Sequence, residues 1–223
     1  MGGRPAAAPK CAFGSDGLEA ENFTLSSGPR RLQGKDNPAL SPTLCFPSSL
    51  PMSSIQVRPA TLRDAKAIAE IHVAAWQDAY KDLLPAATLD GISVQKRQAF
   101  WREAIDYAEP QVLVAHLDNQ IMGFAGFDRS RDKGTPATTG EIWAIYASPI
   151  HWDKGVGLAL WDAARDGLQE EGCTKVTLWT YLRNERALRF FELAGFKREL
   201  GSVKTTEVGG ARLEELRLQR SLV

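Results

Sequence analysis

The sequence predicts a mixed α/β domain with helices on both faces of one β-sheet. Two helical patterns come before most of the strand patterns, and two β-rich runs with a turn between them follow. Later a strand, a glycine-containing loop, a helix and another strand succeed one another, which is the pattern of a crossover connection. Because a crossover joins parallel strands and a tight turn joins antiparallel ones, the sheet is expected to be mixed.

Residues 1–52 are predicted to lie outside the domain, as a disordered or spurious extension. Seven of the twelve prolines fall in this stretch, with Gly, Ser and Ala, and no Trp or Tyr does. Such a composition cannot bury enough apolar surface to offset an ordering cost of ~1–2 kcal/mol per residue. Met52 stands just before the first strand pattern, so one hypothesis is that translation starts there. The alternative is a genuine flexible tail ahead of a domain at residues 53–223.

The first half of this domain is predicted to hold a strand and two helices. Residues 55–58 have the composition of a short strand, and Thr61 with Asp64 at the third position after it resembles a helix capping box. Apolar residues then recur at helical spacing until Leu-Leu-Pro at residues 83–85 interrupts the pattern. A second helix is expected from about 94 to 107.

The second half supplies most of the sheet. An Asp-Asn pair gives the first two of its strands the chemistry of a hairpin turn, and glycines are expected to begin one helix and to end two. The predicted elements are hairpin strands at 111–116 and 120–127, a strand at 140–147, a helix from the glycine turn to about 171, a strand at 175–180, a short helix capped by Asn184, and final strands at 196 and 212–218.

Composition excludes several classes of partner. The formal net charge is zero, which gives no electrostatic reason to expect nucleic acid or an anionic membrane. No apolar run approaches the ~20 residues of a membrane-spanning helix. Cys11, Cys45 and Cys173 are widely separated and have no close Cys or His partner, so neither disulfides nor a metal centre are predicted. We therefore expect a cytoplasmic protein without nucleic acid or membrane among its partners.

A loop that enters a helix carries the most informative motif. Residues 148–159 read Ser-Pro-Ile-His-Trp-Asp-Lys-Gly-Val-Gly-Leu-Ala, so main-chain N–H groups at the helix start can surround phosphate oxygens. Glycines at a helix start more often serve only the turn. A dinucleotide fingerprint is excluded because Leu160 replaces its third glycine, and a Walker loop is excluded because Lys154 precedes the glycines.

Two motifs at this point resemble the signatures of the GNAT superfamily of N-acetyltransferases. The first signature is Gln or Arg, two residues, Gly, one residue, and Gly or Ala; residues 152–157 match it with Trp152 at the first position. The resemblance covers about residues 55–218 in the expected order of elements. The second signature is an Asn, then Ala, aromatic residues and Gly-Phe, matched by Asn184, Ala187, Phe190, Phe191, Gly195 and Phe196.

The resemblance implies a sheet that is splayed at its centre, the GNAT acyl-CoA N-acyltransferase fold. It also implies transfer of an acetyl group from acetyl-CoA, without a metal, to a small-molecule or peptide primary amine by direct attack in a ternary complex. Loop amides would hold the pyrophosphate, and the pantetheine arm would run between strands 140–147 and 175–180. The implied coenzyme contacts are Ile145, Ala147, Asp153, Lys154, Gly155, Val156, Gly157, Leu158, Ala159, Asn184 and Phe191.

Proton transfer in the implied site involves two candidate residues, Glu141 and Tyr146. Glu141 matches the position at which several family members carry a catalytic base, although a strand-end carboxylate without a catalytic role is an equal alternative. Many members carry a tyrosine as general acid where this chain has Phe191, which has no proton to give. Either the thiol, with a pKa of about 8.5, leaves without an acid, or Tyr146 supplies the proton.

Trp76 and Tyr80 are implied to lie on the acceptor side of the cleft, where they would shape substrate choice; the alternative is that both are core aromatics. His72 and His116 suit packing or a strand end better than catalysis. The architecture also allows a homodimer through the final strands. A coenzyme A-binding module without turnover is the alternative function, because the usual tyrosine is absent and Trp152 departs from the first signature.

Overall fold

A computed structural model describes residues 54–223, so the predicted extension at residues 1–52 lies outside the described residues. A single 3-10 turn at Pro149–His151 precedes the glycine loop. The other elements, in chain order, are β1 (Gln56–Pro59), α1 (Ala65–Ala79), α2 (Ala86–Asp90), α3 (Val94–Tyr107), β2 (Gln111–Leu117), β3 (Gln120–Arg129), β4 (Thr139–Ala147), α4 (Val156–Glu170), β5 (Lys175–Tyr181), α5 (Glu185–Leu193), β6 (Lys197–Val208) and β7 (Ala211–Ser221).

The sheet is mixed, as predicted. Its seven strands lie in the order β1-β2-β3-β4-β5-β7-β6, and within residues 54–223 the only parallel pair is β4 with β5. The tight turn between β2 and β3 places Asp118 and Asn119 at φ of 46° and 68°, backbone angles that Asn and Asp tolerate better than most residues. The predicted hairpin and crossover are therefore both present.

The parallel pair comes apart after three residues. Thr139–Glu141 pairs with Lys175–Thr177, but from Ile142 onward β4 pairs only with β3. Here β4 also bulges: Ile142 lies opposite Phe127 and Ala144 opposite Gly126, which leaves Trp143 as an extra residue. Because a bulge bends and twists its strand, it accounts for the divergence of β4 from β5. The sheet is therefore split at its centre, as the resemblance implied.

Helices cover both faces of the sheet. On β3, a side chain at Gly123 would place its Cβ 2.7 Å from Val156 of α4, and one at Gly126 would place it 3.3 Å from the ring of Trp101 of α3. These two glycines face opposite sides of the strand, since side chains alternate along a strand. The missing side chains let a helix approach each face closely. Helices on both faces were predicted and are confirmed.

The start of α1 differs from the prediction. Thr61 does not cap the helix, which begins at Ala65, and Asp64 makes no side-chain cap either. The Asp64 carboxylate instead accepts hydrogen bonds from the main chain of Thr61 at 2.7 Å and from the guanidinium of Arg58 at 2.7 and 3.0 Å. The hydrogen bond from Arg58 lowers the pKa of Asp64 to about 2. The Asp64 carboxylate is thus held by Arg58 and Thr61 and does not cap the helix.

Two other elements were missed or shortened by the sequence analysis. Pro85 starts a five-residue helix, α2, directly after the predicted break. Strand β6 runs from Lys197 to Val208, whereas the sequence analysis predicted strand structure in this region only at Phe196. Most of its side chains are exposed and its pairing with β7 is interrupted between Glu199 and Lys204, so the sequence shows no regular strand pattern there. The second predicted helix, at residues 94–107, is confirmed as α3.

A neutral histidine lies in the core between α1 and α3. His72 is 6% exposed, its Nδ1 accepts a hydrogen bond of 3.0 Å from the Trp101 indole, and its ring stacks on Tyr146 at 4.9 Å. Burial, aided by the charge of Arg97, holds the pKa of His72 well below its ordinary value. His72 therefore serves packing, as the sequence suggested.

This burial predicts a pH-dependent stability. Below about pH 6.5 the unfolded chain takes up a proton on His72 that the folded chain excludes, so low pH favours unfolding. The free energy of unfolding should fall by about 1.4 kcal/mol between about pH 7.5 and 5.5 from this group alone. The component from Asp64 is lost only at lower pH, since its folded pKa is about 2. Denaturant unfolding at the two pH values measures the change.

His72→Gln keeps an acceptor for the Trp101 indole but cannot titrate, so it should remove this component of the pH dependence. His116→Gln, at a half-buried position of β2, is the matched control and should leave it in place. An unaltered pH dependence in His72→Gln would show that another group is responsible.

Candidate active site

The glycine loop and the start of α4 form the anion-binding part of the site. Asp153 and Gly155 have φ of 59° and 84°, a left-handed conformation that turns main-chain N–H groups inward. No side chain caps α4, whereas Asn184 caps α5 with its Oδ1 3.1 Å from the amide of Ala187. The first-turn amides of α4 have no partner within the helix and stand at its positive end. They can therefore bind an anion.

Two details differ from the predicted cradle. The amide of Ala159 donates a hydrogen bond of 3.0 Å to the carbonyl of Gly155, so Ala159 is not one of the free donors; the available amides end at Leu158. Gly157 lies inside α4, where an added Cβ would come within 3.2 Å of the Phe190 ring. Its small size therefore serves the packing of α5 against α4. A bulky side chain there would displace α5 as well as any ligand.

Trp152 has a different role from the polar residue of the signature. Its indole donates a hydrogen bond of 3.0 Å to the carbonyl of Ala147, which fastens the loop to the end of β4. The guanidinium of Arg186 lies 4.3 Å above the Trp152 ring and 2.9 Å from the carboxylate of Asp153. Arg186 thus neutralises a carboxylate next to the anion site. Sequence reasoning did not find Arg186, which lies more than thirty positions away in the chain.

Glu141 is the last residue of β4 that pairs with β5; it lies opposite Thr177, where the split begins. It is 1% exposed. Its Oε2 accepts a hydrogen bond of 2.9 Å from the main chain of Arg131, and its Oε1 accepts one of 2.5 Å from the Arg131 side chain. The carboxylate is thus fixed by one residue of the β3–β4 loop. Each oxygen retains a second lone pair for a further donor.

Four of the predicted residues form two hydrogen-bonded pairs. The Trp76 indole donates to the hydroxyl of Tyr146 at 2.8 Å, and the amide of Asn184 donates to the hydroxyl of Tyr80 at 3.3 Å. The rings of Trp76 and Tyr80 are in contact at 5.0 Å, so the two pairs adjoin. Burial raises the pKa of Tyr80. The structure joins residues predicted separately for acceptor, catalysis and coenzyme.

The remaining predicted coenzyme residues occupy different surroundings. Phe191 is 1% exposed and packs in the core against Phe190 and Phe196, at ring distances of 5.0 and 5.4 Å. Ile145 and Ala147 lie on the β4 stretch that has no β5 partner, so that edge faces the split. The contacts of Phe191, Ile145 and Ala147 with a coenzyme stay predictions.

A cluster of charged and aromatic residues that was not predicted covers β4 and β5 on the face opposite α4. The Arg131 guanidinium lies 3.8 Å above the Trp143 ring, and the ammonium of Lys204 lies 3.7 Å above that of Trp179. Asp132 accepts hydrogen bonds from the Trp179 indole at 3.2 Å and from Arg217 at 2.8 Å. We call this the charged cluster; its members are Arg131, Asp132, Glu141, Trp143, Trp179, Glu199, Lys204, Glu215 and Arg217.

Within residues 54–223, no three His, Cys, Asp or Glu side chains are grouped so that they could hold a metal ion. Over the same residues, no helix is both long and apolar enough to span a bilayer.

The split sheet and the uncapped helix at its open end define the class of protein. Residues 67–196 match the family model described as Acetyltransferase (GNAT) family. The chain therefore belongs to the GNAT family of acetyltransferases. The resemblance drawn from residues 152–157 and 184–196 is confirmed, and so is the classification as an acyltransferase.

Individual proteins support the same assignment. The chain is 28% identical over 167 residues to the uncharacterized N-acetyltransferase YuaI of Bacillus subtilis, covering 74% of this chain and 91% of that one. The PaiA N-acetyltransferase of Thermoplasma acidophilum, solved with coenzyme A, has a TM-score of 0.61 at 18% identity over 75% of this chain and 99% of its own. YncA of Salmonella typhimurium, solved with acetyl-CoA, has a TM-score of 0.60 at 24% identity over 77% and 95%. These structures confirm the fold.

Proposed function

We propose that this protein transfers the acetyl group of acetyl-CoA to a primary amine by direct attack within a ternary complex. The observation that carries this proposal is the split between β4 and β5, which opens beside the uncapped N-terminus of α4. Main-chain donors for a diphosphate and an unpaired strand edge for an amide-containing arm then lie next to each other. Both structural neighbours described above were solved with coenzyme A or acetyl-CoA.

The coenzyme would be held mainly by the main chain. The amides from Gly155 to Leu158 would bind the diphosphate, with Lys154 beside them and the charge of Asp153 balanced by Arg186. The exposed edge of β4 at Ile145 and Ala147 would bond the amide groups of pantetheine, with Asn184 and Phe191 on the α5 side. A β4 amide placed against the thioester carbonyl would stabilise the charge that develops there.

Glu141 is the proposed base. A lysine-like amine with a pKa of about 10.4 is neutral at pH 7 only about once in 10³ molecules, which costs about 4–5 kcal/mol. Because both oxygens of Glu141 already accept hydrogen bonds from Arg131, we propose that the proton reaches the carboxylate through one water. The position of Glu141 at the start of the split supports this role.

Tyr146 is proposed to assist the departing thiolate. The Trp76 indole donates to its oxygen, which would stabilise the phenolate left after Tyr146 gives its proton to the sulfur. Trp76 and Tyr80 are themselves buried in the core, so they would influence the acceptor through the position of Tyr146.

The proposal predicts that purified protein releases free coenzyme A when acetyl-CoA and an accepted amine are both present. A panel of aliphatic amines, amino acids and peptides, with thiol release as the readout, identifies the acceptor. Initial rates with both substrates varied should give intersecting double-reciprocal lines, because direct attack requires a ternary complex. Parallel lines would indicate an acetylated enzyme instead, and binding of acetyl-CoA without release would indicate a module without turnover.

Glu141→Gln should lower kcat ~10²-fold and leave the affinity for acetyl-CoA nearly unchanged, because the amide keeps the size of the side chain but cannot take a proton. Arg131→Gln is the control for loss of the ion pair alone. It leaves the carboxylate in place, so its loss of kcat should be smaller than that of Glu141→Gln. Equal rates for Glu141→Gln and the natural chain would remove Glu141 from the mechanism.

Tyr146→Phe should lower kcat by ~10-fold or more. The loss should be largest with an acyl donor whose thiol has a higher pKa, because that thiolate is the poorer leaving group. Trp76→Phe removes one donor to the hydroxyl and should have a smaller effect in the same direction. A full rate in Tyr146→Phe would show that the thiolate leaves without an acid.

A further inference from the structure

One carboxylate of the charged cluster is incompletely paired. Glu215 of β7 lies opposite Tyr181 of β5 and opposite Lys204 of β6, and it is 2% exposed. Its Oε1 accepts a hydrogen bond of 2.9 Å from the Lys204 ammonium. Its Oε2 is buried and receives no hydrogen bond from any described residue. A buried carboxylate oxygen without a donor is costly, so this atom is suited to a donor supplied by a ligand.

The surroundings of Glu215 already accommodate an alkylammonium group. The Lys204 ammonium lies both against Oε1 and 3.7 Å above the Trp179 ring, a combination of carboxylate and aromatic face that favours a cation. The Trp179 ring is held in place through its indole, which donates to Asp132. The Lys204 side chain is 39% exposed, so displacing its ammonium would open Glu215 to solvent.

The carboxylates of the charged cluster are unequally paired. It contains three cations and four carboxylates, and each of the seven takes part in an ion pair. Glu199 and Asp132 share Arg217, and the charge of Lys175 also acts on Glu199. Glu141 has Arg131, whereas Glu215 has Lys204 through one oxygen only. The cations are Arg131, Lys204 and Arg217, and the carboxylates are Asp132, Glu141, Glu199 and Glu215.

Glu215 is also connected to the split. Tyr181, opposite it, ends the strand that forms one side of the split, and burial with the charge of Glu215 raises the pKa of Tyr181. The ring of Tyr181 lies 5.4 Å from that of Tyr80, and Tyr80 contacts Trp76, which donates to Tyr146. A ligand bound at Glu215 would therefore lie on the face of the sheet that carries the proposed catalytic tyrosine.

We infer that Oε2 of Glu215 binds an ammonium group of the acceptor beside the Trp179 ring. The accepted substrates are then aliphatic amines that carry a positive charge at neutral pH, in preference to uncharged arylamines. This inference rests on the proposed acetyl transfer, because it assigns this face of the sheet to the acceptor. Glu215 is a binding residue in this scheme, and Glu141 remains the base.

The test titrates the full chain, ¹⁵N-labelled and without acetyl-CoA, with n-butylammonium in phosphate buffer, and follows the six tryptophan indole N–H signals by NMR. The signal missing from Trp179→Phe identifies Trp179. Butylammonium should shift this signal in a saturable way, and n-butanol, its neutral counterpart, should not. Glu215→Gln should weaken binding by about tenfold or more, since a charge-assisted hydrogen bond is lost. Glu214→Gln, exposed on the opposite face of β7, should bind as the natural chain does.

Lys204→Met gives a second measurement that a purely structural role of Glu215 would not produce. At about pH 8 it should bind butylammonium about threefold more tightly or better, because the internal competitor for Glu215 and Trp179 is gone. Unchanged or weaker binding in Lys204→Met, full affinity in Glu215→Gln, or no response of the Trp179 signal in the natural chain would each overturn the inference. Calorimetry with acetyl-CoA is run in parallel, and a failure there would contradict the proposed function instead.

Discussion

The short parallel pairing of β4 and β5 is the constraint on which the rest of the structure depends. Only three residues of each strand face one another before the extra residue at Trp143 turns β4 away. A parallel pair that continued would consume the main-chain groups of β4 and close the sheet. By ending early, it leaves a strand edge exposed at a place where both faces are covered by helices. Exposed edges are costly elsewhere, but here the edge is sheltered by its own fold.

Keeping the two strands apart requires contacts that span the gap. On one face, Asn184 beyond β5 bonds the hydroxyl of Tyr80, which follows α1, and Trp76 of α1 bonds Tyr146 of β4. At the open end, Trp152 fastens the glycine loop to the last carbonyl of β4. The first two links join elements that are distant in the chain, and the third joins β4 to the loop that follows it. Buried polar groups stabilise a fold only when they are satisfied, so the hydrogen bond from Trp76 that links α1 to β4 also fixes the hydroxyl of Tyr146, the proposed acid.

Features that depend on a few neighbouring residues could be predicted from the sequence, whereas contacts that depend on how the strands pair could not. The hairpin turn at Asp118-Asn119, the glycine loop and the Asn184 cap all depend on a few neighbouring residues, and each was predicted. The Thr61 cap was wrong because α1 begins at Ala65 and the Thr61 hydroxyl donates to the Asp64 carboxylate, so it does not accept from a helix amide. Arg131 and Glu141 meet only after the β3–β4 loop folds over β4, and Lys204 meets Glu215 only in the β6–β7 register. No pattern of neighbouring residues in the sequence predicts these ion pairs.

This difference separates the two halves of the site by the kind of atom that each uses. The proposed coenzyme half relies on main-chain amides at α4, so a change of side chain such as Trp152 for Gln or Arg leaves the donors in place. The proposed acceptor half relies on side chains from a loop and four strands, which can change one at a time without disturbing the split. A fold of this kind can keep one acyl donor and vary its acceptors. It follows that the acceptor must be sought in the charges around Trp143 and Trp179, and not in the motifs that identify the family.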